Sequence, residues 1–134
     1  MTTWTSDELD KIGKAEELRI ASLRHDGTLR IPVIIWVVRL GNDLYVRSVN
    51  GRTSAWFRGT QTRHEGHIHA GGVDKDVTFV EESNSNINEQ IDAAYATKYR
   101  RYVACIISHI NGLEARAATI KLMPRSINSY ELST

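Results

Sequence analysis

The stretch 25-HDGTLRIPVIIWVVRL-40 begins with an Asp-Gly pair and continues as a long apolar run. Asp26-Gly27 between strand-like segments is a strong signal of a hairpin turn. The run Leu29–Leu40 is rich in β-branched residues and apolar on both faces, which predicts a central strand covered on both sides. Pro32 is expected at an edge or a bulge of that strand. The hairpin in turn predicts that Glu17–Arg24 is a strand rather than a helix.

Further short segments carry the patterns of antiparallel strands and tight turns. Gly41-Asn42-Asp43 predicts a second turn, and Leu44–Val49 alternates between two faces, so three consecutive strands form a meander. Other strands are predicted at 66–70, 77–81 and 117–123, and helices at 6–13 (with Ser6 as N-cap), 84–102 and, as a single turn, 54–58. Because closure removes exposed strand edges, about six such strands favour a mainly β (α+β) barrel with flanking helices, as a single domain over residues 1–134.

Composition limits the kinds of partner that this chain is expected to bind. Its 134 residues carry 17 Lys plus Arg and 16 Asp plus Glu, so it lacks the basic excess of a non-specific nucleic-acid binder. No apolar run approaches the length of a membrane span. A single cysteine allows no intrachain disulfide, and the N-terminus lacks a signal-peptide pattern. We therefore expect a cytoplasmic protein that binds neither nucleic acid nor membrane.

The first candidate site lies where a predicted strand runs into a glycine-containing loop, over residues 47–58. Arginine forks, hydroxyls and free backbone N–H groups suit a phosphate or a carboxylate. An aromatic side chain close to them could cover a flat ring. The alternative is that the arginines are solvated and the tryptophan belongs to the core. The candidate residues are Arg47, Ser48, Gly51, Ser54, Trp56 and Arg58.

The second candidate is the pair His67 and His69, which share one face of a predicted strand. Two histidines on one face could be metal ligands, but no third ligand is evident, and we predict no metal site. A role as acid/base or as a hydrogen-bonding contact is favoured, because imidazole titrates near neutral pH. A strand with one polar surface face gives the same pattern.

The third candidate is an aromatic and cationic face on the predicted helix 84–102. Tyr95, Lys98 and Tyr102 fall on one helical face, and Tyr99 lies to the side. Aromatic rings with cations could line a pocket by stacking or cation–π contact. The alternative is an amphipathic face, with tyrosines packed on the barrel and cations in water.

The chain resembles a bacterial family catalogued as domain of unknown function 2255, for which no activity is assigned. The resemblance covers nearly the whole chain, through Leu122-Met123-Pro124. It is carried by Trp4 with Glu8-Leu9, Asp26-Gly27-Thr28, Trp36-Val37-Val38, Leu44-Tyr45-Val46-Arg47-Ser48, Trp56-Phe57-Arg58, Ala70-Gly71-Gly72-Val73, Asp76-Val77-Thr78-Phe79, Asp92-Ala93-Ala94-Tyr95 and Lys98-Tyr99.

More distantly, the order of elements is similar to the split β-barrels of pyridoxamine phosphate oxidases and deazaflavin-dependent nitroreductases. This resemblance implies a split β-barrel that usually dimerises, with an FMN or deazaflavin cofactor between subunits. It also implies that an arginine-bearing strand, a Gly and Ser/Thr loop and a tryptophan bind the cofactor phosphate. The matching positions here are Arg47, Ser48, Gly51, Ser54 and Trp56. Some split barrels keep the fold without a cofactor, so a cofactor-free protein stays open.

Three functions follow as hypotheses. The first is a flavin- or deazaflavin-binding oxidoreductase, in which the 47–58 loop holds the cofactor phosphate and Lys98 adds a cationic contact. The second is a cofactor-free enzyme or small-molecule binder that uses the same pocket. An anionic ligand would be bound or protonated there by one of four residues: His67, His69, Tyr95 or Arg47. The third is a non-catalytic dimeric interaction module. A homodimer and a small-molecule ligand are the expected partners.

Overall fold

The computed structural model describes residues 3–102 and 104–125, without the side chains of 104–106, and it contains a single antiparallel sheet of seven strands. The strands are β1 (Leu18–Ser22), β2 (Val33–Ile35), β3 (Val37–Leu40), β4 (Asp43–Arg47), β5 (Glu65–Ala70), β6 (Val73–Glu81) and β7 (Thr119–Pro124). The helices are α1 (Ser6–Lys14), α2 (Ala55–Arg63), α3 (Ser85–Lys98), α4 (Ala104–Ile110) and α5 (Leu113–Ala117). A 3₁₀ turn, Gly51–Thr53, precedes α2.

The strand order makes the sheet curl into a barrel. The order is β2-β1-β5-β6-β7-β4-β3, so β2 and β3 are its two edges. These edge strands are consecutive in the chain and only Trp36 separates them. Because one residue spans only a few ångströms, the two edges of the sheet must lie side by side at this point. The predicted mainly β, split-barrel fold is confirmed.

The prediction of one central strand over Leu29–Leu40 is wrong. The chain bends at Trp36, whose ring stacks on Tyr99 with centroids 3.9 Å apart, and the two halves become opposite edges of the sheet. A central strand would be covered on both sides, yet Ile31 and Ile34 are 83% and 54% exposed. Because of this bend, the sheet has seven strands rather than the six predicted, and apolar side chains of the run lie at the surface.

Three smaller predictions are also corrected. The N-cap of α1 is Thr5 rather than Ser6, because Thr5 and Glu8 form a reciprocal capping box. The strand predicted at 77–81 begins earlier: the hairpin turns at Gly71-Gly72, both at positive φ, and β6 starts at Val73. Residues 54–58 are not a single turn but the beginning of the nine-residue helix α2.

Two apolar clusters hold the elements together. The barrel interior is filled by inward side chains of the strands and closed at one end by α1, which buries Leu9 and Ile12. The second cluster lies outside the barrel, where Ile91 and Tyr95 of α3, and Tyr99 directly after it, pack on β3 and β4. Burial of these side chains is the main stabilising contribution at both places. Within the described residues, no helix has the length and apolar character to span a bilayer.

Candidate functional site

A cavity of about 390 Å³ opens where the bend between β2 and β3 faces the end of β4 and the start of α2. This volume falls within the range of small-molecule sites, about 300–1,000 Å³. The lining residues are Val33, Ile34, Ile35, Trp36, Arg47, Ser48, Val49, Asn50, Ser54, Trp56, His109 and Ile110. Most of the wall is apolar, and its polar groups come chiefly from β4 and the loop that follows it.

Two hydroxyl groups meet at this cavity, because the Oγ atoms of Ser48 and Ser54 are 2.6 Å apart. Ser48 directly follows β4 and is buried, while Ser54 is the N-cap residue of α2. The Ser54 side chain makes no hydrogen bond to the first turn of α2, which also contains no acidic residue. Since first-turn N–H groups lack intrahelical acceptors and carry partial positive charge, this corner of the cavity can accept an oxyanion.

The half-buried indole of Trp56 forms a wall of the same cavity, and its ring meets Phe57 edge-on at 6.2 Å. The structure therefore places Ser48, Ser54 and Trp56 together, as the spacing of the sequence led us to expect. Their function as cofactor ligands stays a prediction.

Arg47 lines the cavity, but its guanidinium belongs to an internal hydrogen-bond network. Its side chain is fully buried and connects β4 to α3 and β7. Nε donates to Thr119 Oγ1 at 2.9 Å. Nη1 is within hydrogen-bond distance of Asp92 Oδ1 (2.5 Å), Asn111 Oδ1 (3.0 Å) and the Ile110 carbonyl (3.4 Å). Nη2 donates to the Asn88 carbonyl (3.1 Å) and to Asn88 Oδ1 (2.8 Å). Every nitrogen of the group thus has an acceptor within the chain.

This network changes the role that we assign to Arg47. Burial lowers the pKa of the Arg47 guanidinium, while the hydrogen bond and charge of Asp92 oppose that shift; the two groups form an ion pair in which only the Arg47 side chain is fully buried. A phosphate contact would require the guanidinium to give up one of these partners, at a cost of several kcal/mol. We therefore revise the predicted phosphate ligand to a positioning residue, which holds the end of β4, and with it Ser48, in place.

Three other predicted cofactor contacts do not line the cavity. Gly51, at φ +79°, lies against Glu114, where an added Cβ would come within 3.3 Å of the Glu114 Cβ. The side chain of Arg58 is exposed on α2. Lys98 donates from Nζ to the carbonyl of Val37 at 2.6 Å, and burial lowers its pKa to about 8. The backbone N–H of Gly51 donates to the carbonyl of Ser48 at 2.9 Å, but none of the three residues lines the cavity.

Tyr95 also lies outside the cavity, although it touches residues that form its wall. Its hydroxyl donates to the Trp36 carbonyl at 3.3 Å, and the Arg47 guanidinium carbon lies 5.7 Å from its ring centroid. Burial raises the pKa of the phenol, which is fully enclosed, so it is poorly placed to exchange a proton with a ligand. The packing alternative for this helical face fits Tyr95 and Tyr99.

His67 and His69 of β5 lie opposite Asp76 and Asp74 of β6, and neither lines the cavity. His67 Nδ1 lies 2.9 Å from Asp76 Oδ1 and its Nε2 3.1 Å from Asp74 Oδ1, while His69 Nδ1 lies 3.0 Å from the same Asp74 oxygen. Burial lowers the pKa of His67, but its bonds to Asp76 and Asp74 outweigh burial and raise the pKa. Over residues 3–102 and 104–125, no group of three or more His, Cys, Asp or Glu is arranged to hold a metal.

This arrangement predicts a pH-dependent stability. Because the folded-state pKa of His67 is raised, its contribution is complete below the unfolded value of about 6.5 and is lost as pH rises through the folded value. Because His67 and its carboxylate partners are partly exposed, we expect this contribution to the free energy of unfolding to be about 0.2–1 kcal/mol. Urea unfolding between pH 6 and 8.5 should show this loss in the wild type and a flatter profile in His67→Asn. His25→Asn, in the exposed hairpin turn, is the control, and an equal flattening there would contradict the assignment.

The sequence did not identify several residues of the cavity wall. Asn50 and His109 add polar groups, and the segment Val33–Trp36 supplies much of the apolar surface. The segment was interpreted as a covered central strand, which hid its part in a cavity. His109 comes from α4, and only the packing of that helix brings it near Ser48. No local sequence pattern indicates that His109 or the segment Val33–Trp36 lines a cavity.

Comparison with known proteins agrees with the fold. The model of a family described as "Uncharacterized protein conserved in bacteria (DUF2255)" matches residues 8–122. No curated protein matches the chain. Among solved structures, the fold resembles HutZ, a heme storage protein from Vibrio cholerae, with TM-score 0.62, 12% identity and coverage of 93% of this chain and 92% of that one.

Two further structures share the fold. An F420 reductase has TM-score 0.59 and 11% identity, covering 88% of this chain and 93% of that one. An FAD-binding protein from Mesorhizobium loti has TM-score 0.56 and 16% identity, with 93% of each chain covered. The resemblance to pyridoxamine phosphate oxidase-like split barrels is thereby confirmed at the level of fold. The cofactors in these names belong to those proteins.

Proposed function

Because the chain belongs to the DUF2255 family and has the split-barrel fold of proteins that bind flavin, F420 or heme, we propose that it is a flavin- or deazaflavin-binding oxidoreductase. The observation that carries the proposal is the corner of the cavity formed by Ser48, Ser54 and the uncapped first turn of α2. This corner offers hydroxyls and unpaired N–H groups next to an aromatic wall, as a phosphate joined to a flat ring requires.

Different residues of the chain would bind the phosphate of the cofactor, position the binding groups and exclude water from its ring. Ser48, Ser54 and the first-turn N–H groups of α2 hold the phosphate, and Arg47 fixes the strand end from which Ser48 projects. Trp56 and the apolar segment Val33–Trp36 exclude water from the ring. A bound flavin or deazaflavin supplies the hydride chemistry, while the protein supplies orientation and a dry surface.

The proposal includes a homodimer in which a second copy covers the mouth of the cavity. Ile34 and Val49 line the cavity, and both are about half exposed in a single chain. Ile31 adds a third exposed apolar side chain at the nearby edge. Large apolar side chains that cluster at a cavity mouth are typical of an interface. Light scattering should give twice the chain mass of 15.1 kDa, and a mass of one chain would contradict this part.

The experiment measures FMN and F420 binding by fluorescence for the wild type, Ser54→Asp and Ser85→Asp. Aspartate is a good N-cap, so Ser54→Asp should keep α2 stable while its carboxylate repels the phosphate. We expect Kd to rise at least tenfold, about 1.4 kcal/mol at 25 °C. Ser85→Asp adds the same charge at the exposed start of α3 and should leave Kd unchanged.

Two outcomes would contradict the proposal. The first is that the wild type binds neither FMN nor F420 at micromolar concentration, including the case in which it binds only heme. The second is that Ser54→Asp binds the cofactor as tightly as Ser85→Asp, which would place the phosphate elsewhere.

A further inference from the structure

A second, smaller cavity of about 180 Å³ lies on the other side of Trp56, between β1, the segment that leads into β2, and α2. It is lined by Ile20, Ser22, Arg30, Ile31, Val33, Ala55, Trp56 and Thr60. Only Val33 and Trp56 are shared with the larger cavity. Ile31, at its edge, is largely exposed in a single chain.

The backbone places Arg30 and Ser22 side by side in this cavity. The N–H of Arg30 donates to the carbonyl of Ser22 at 2.9 Å, which ties the incoming segment to the end of β1. Side chains alternate along β1, so Ser22 faces the same side as Ile20, toward α2. Ser22 is 5% exposed. The site is therefore fixed by strand geometry rather than by a surface loop.

Gly59, on the face of α2 that covers the cavity, lets Ser22 Oγ and the Arg30 side chain lie directly against the helix backbone. A Cβ at this position would lie 2.5 Å from Ser22 Oγ, 3.1 Å from Arg30 Cδ and 3.1 Å from Arg30 Nε. Any larger residue would push the guanidinium stem aside. The helix thus has its one buried glycine at the point where Arg30 and Ser22 approach it.

Arg30 lacks the acceptor that a buried guanidinium nitrogen requires. Its Nε is buried and, among the described residues, has no hydrogen-bond partner; no carboxylate among them forms an ion pair with Arg30. An unsatisfied charged donor costs free energy, and buried donors are almost always paired. The neighbouring Thr60 hydroxyl donates to the Phe57 carbonyl at 2.6 Å and is committed to its own helix.

We propose that this cavity is a binding site for a small oxyanion, a carboxylate or a phosphate, held by Arg30 with Ser22 beside it. Arg30 is partly exposed and has no carboxylate partner among the described residues, and the guanidinium fork matches the geometry of an oxyanion. The apolar walls of Ile20 and Val33 lower the local dielectric and strengthen the interaction. The site is separate from the proposed cofactor cavity and does not depend on cofactor binding.

The test titrates the full chain with sodium acetate and, separately, with inorganic phosphate at constant ionic strength. The Nε–H resonance of Arg30, assigned by its absence in Arg30→Gln, should shift saturably with at least one anion. Arg19, exposed on β1, should show no saturable shift. A response to acetate alone indicates a carboxylate ligand, and a response to phosphate alone a phosphate ligand. A shift that is linear and equal at Arg19 and Arg30 would overturn the proposal.

Thermal unfolding provides a second readout that does not need the resonance. The anion should raise the Tm of the wild type and of Arg19→Gln by the same amount, and its effect on Arg30→Gln should be lost. Gly59→Ala, whose methyl group would displace Ser22 Oγ and the Arg30 side chain, should weaken anion binding at least tenfold. Equal Tm increments in the wild type and Arg30→Gln would overturn the proposal, because they would show that the anion stabilises the protein without binding Arg30. Loss of flavin binding would not bear on this result.

Discussion

Arg47→Met is expected to lower the free energy of unfolding by about 3 kcal/mol. The guanidinium is buried and hydrogen-bonded to three parts of the chain: Asp92 and Asn88 on α3, Asn111 after α4, and Thr119 on β7. Methionine fills a similar volume but removes one donor from each of these acceptors, and Asp92 keeps only the more distant Arg116 as a cationic partner, at 3.6 Å. The expected value lies at the lower end for a broken buried pair, since the Asp92 side chain is 28% exposed and water can reach it.

Urea unfolding measures this loss, with Arg52→Gln as the matched control. Arg52 also pairs with a carboxylate, Glu81, but both side chains are at least 40% exposed, so its loss should cost less than about 1 kcal/mol. Arg47→Lys should recover little stability, because one ammonium group cannot replace donors on all three guanidinium nitrogens. If Arg47→Met and Arg52→Gln have the same midpoint, or if lysine restores the wild-type value, the network does not stabilise the fold as we describe.

Gly66→Ala is expected to destabilise the protein by about 2–3 kcal/mol. Gly66 lies in β5 opposite Ser22 of β1, and a Cβ there would lie 2.2 Å from the carbonyl oxygen of Ala21. It would also lie 2.7 Å from the Cζ atom of Phe79. The ring could turn, but the carbonyl cannot move without disturbing the β1–β5 pairing. The substitution therefore acts on the sheet itself.

Two further variants separate sterics from backbone conformation. Gly41→Ala introduces a Cβ with nothing within 4 Å, at φ +64°, and should cost only the left-handed conformation, about 1 kcal/mol. Adding Phe79→Leu to Gly66→Ala should not restore stability, because the Ala21 carbonyl remains in place. Full recovery in that double variant, measured by urea unfolding, would show that the aromatic ring is the only obstacle.

Local sequence patterns were sufficient for most strands and for part of the site. Asp26-Gly27 predicted the turn after β1, and alternation predicted β4, because these signals depend on neighbours within a few residues. The loop after β4 placed Ser48, Ser54 and Trp56 together for the same reason: a short chain segment joins them. The family resemblance, confirmed over residues 8–122, extended this to the split barrel.

The hydrogen-bond and ion-pair partners of the charged side chains could not be predicted from the sequence. Arg47 was interpreted as a ligand contact, but the acceptors around it come from segments 41–72 positions away in the chain. The alternation that puts His67 and His69 on one face was correct, while the carboxylates opposite them depend on the β5–β6 register. Arg30 carried no signal, since its unpaired nitrogen exists only once α2 covers it.

The sequence by itself determined the strand-forming segments, the tight turns and the hydroxyl-bearing loop, because short-range periodicity and turn chemistry specify them. The tertiary structure alone decided that Leu29–Leu40 breaks at Trp36. An apolar run of this kind is equally compatible with one buried central strand and with two edge strands. Only two long-range features distinguish these alternatives: the stacking of Trp36 on Tyr99, and the pairing of β2 with β1 and of β3 with β4. That bend closes the barrel and forms the cavity, so the location of the site is a property of long-range packing.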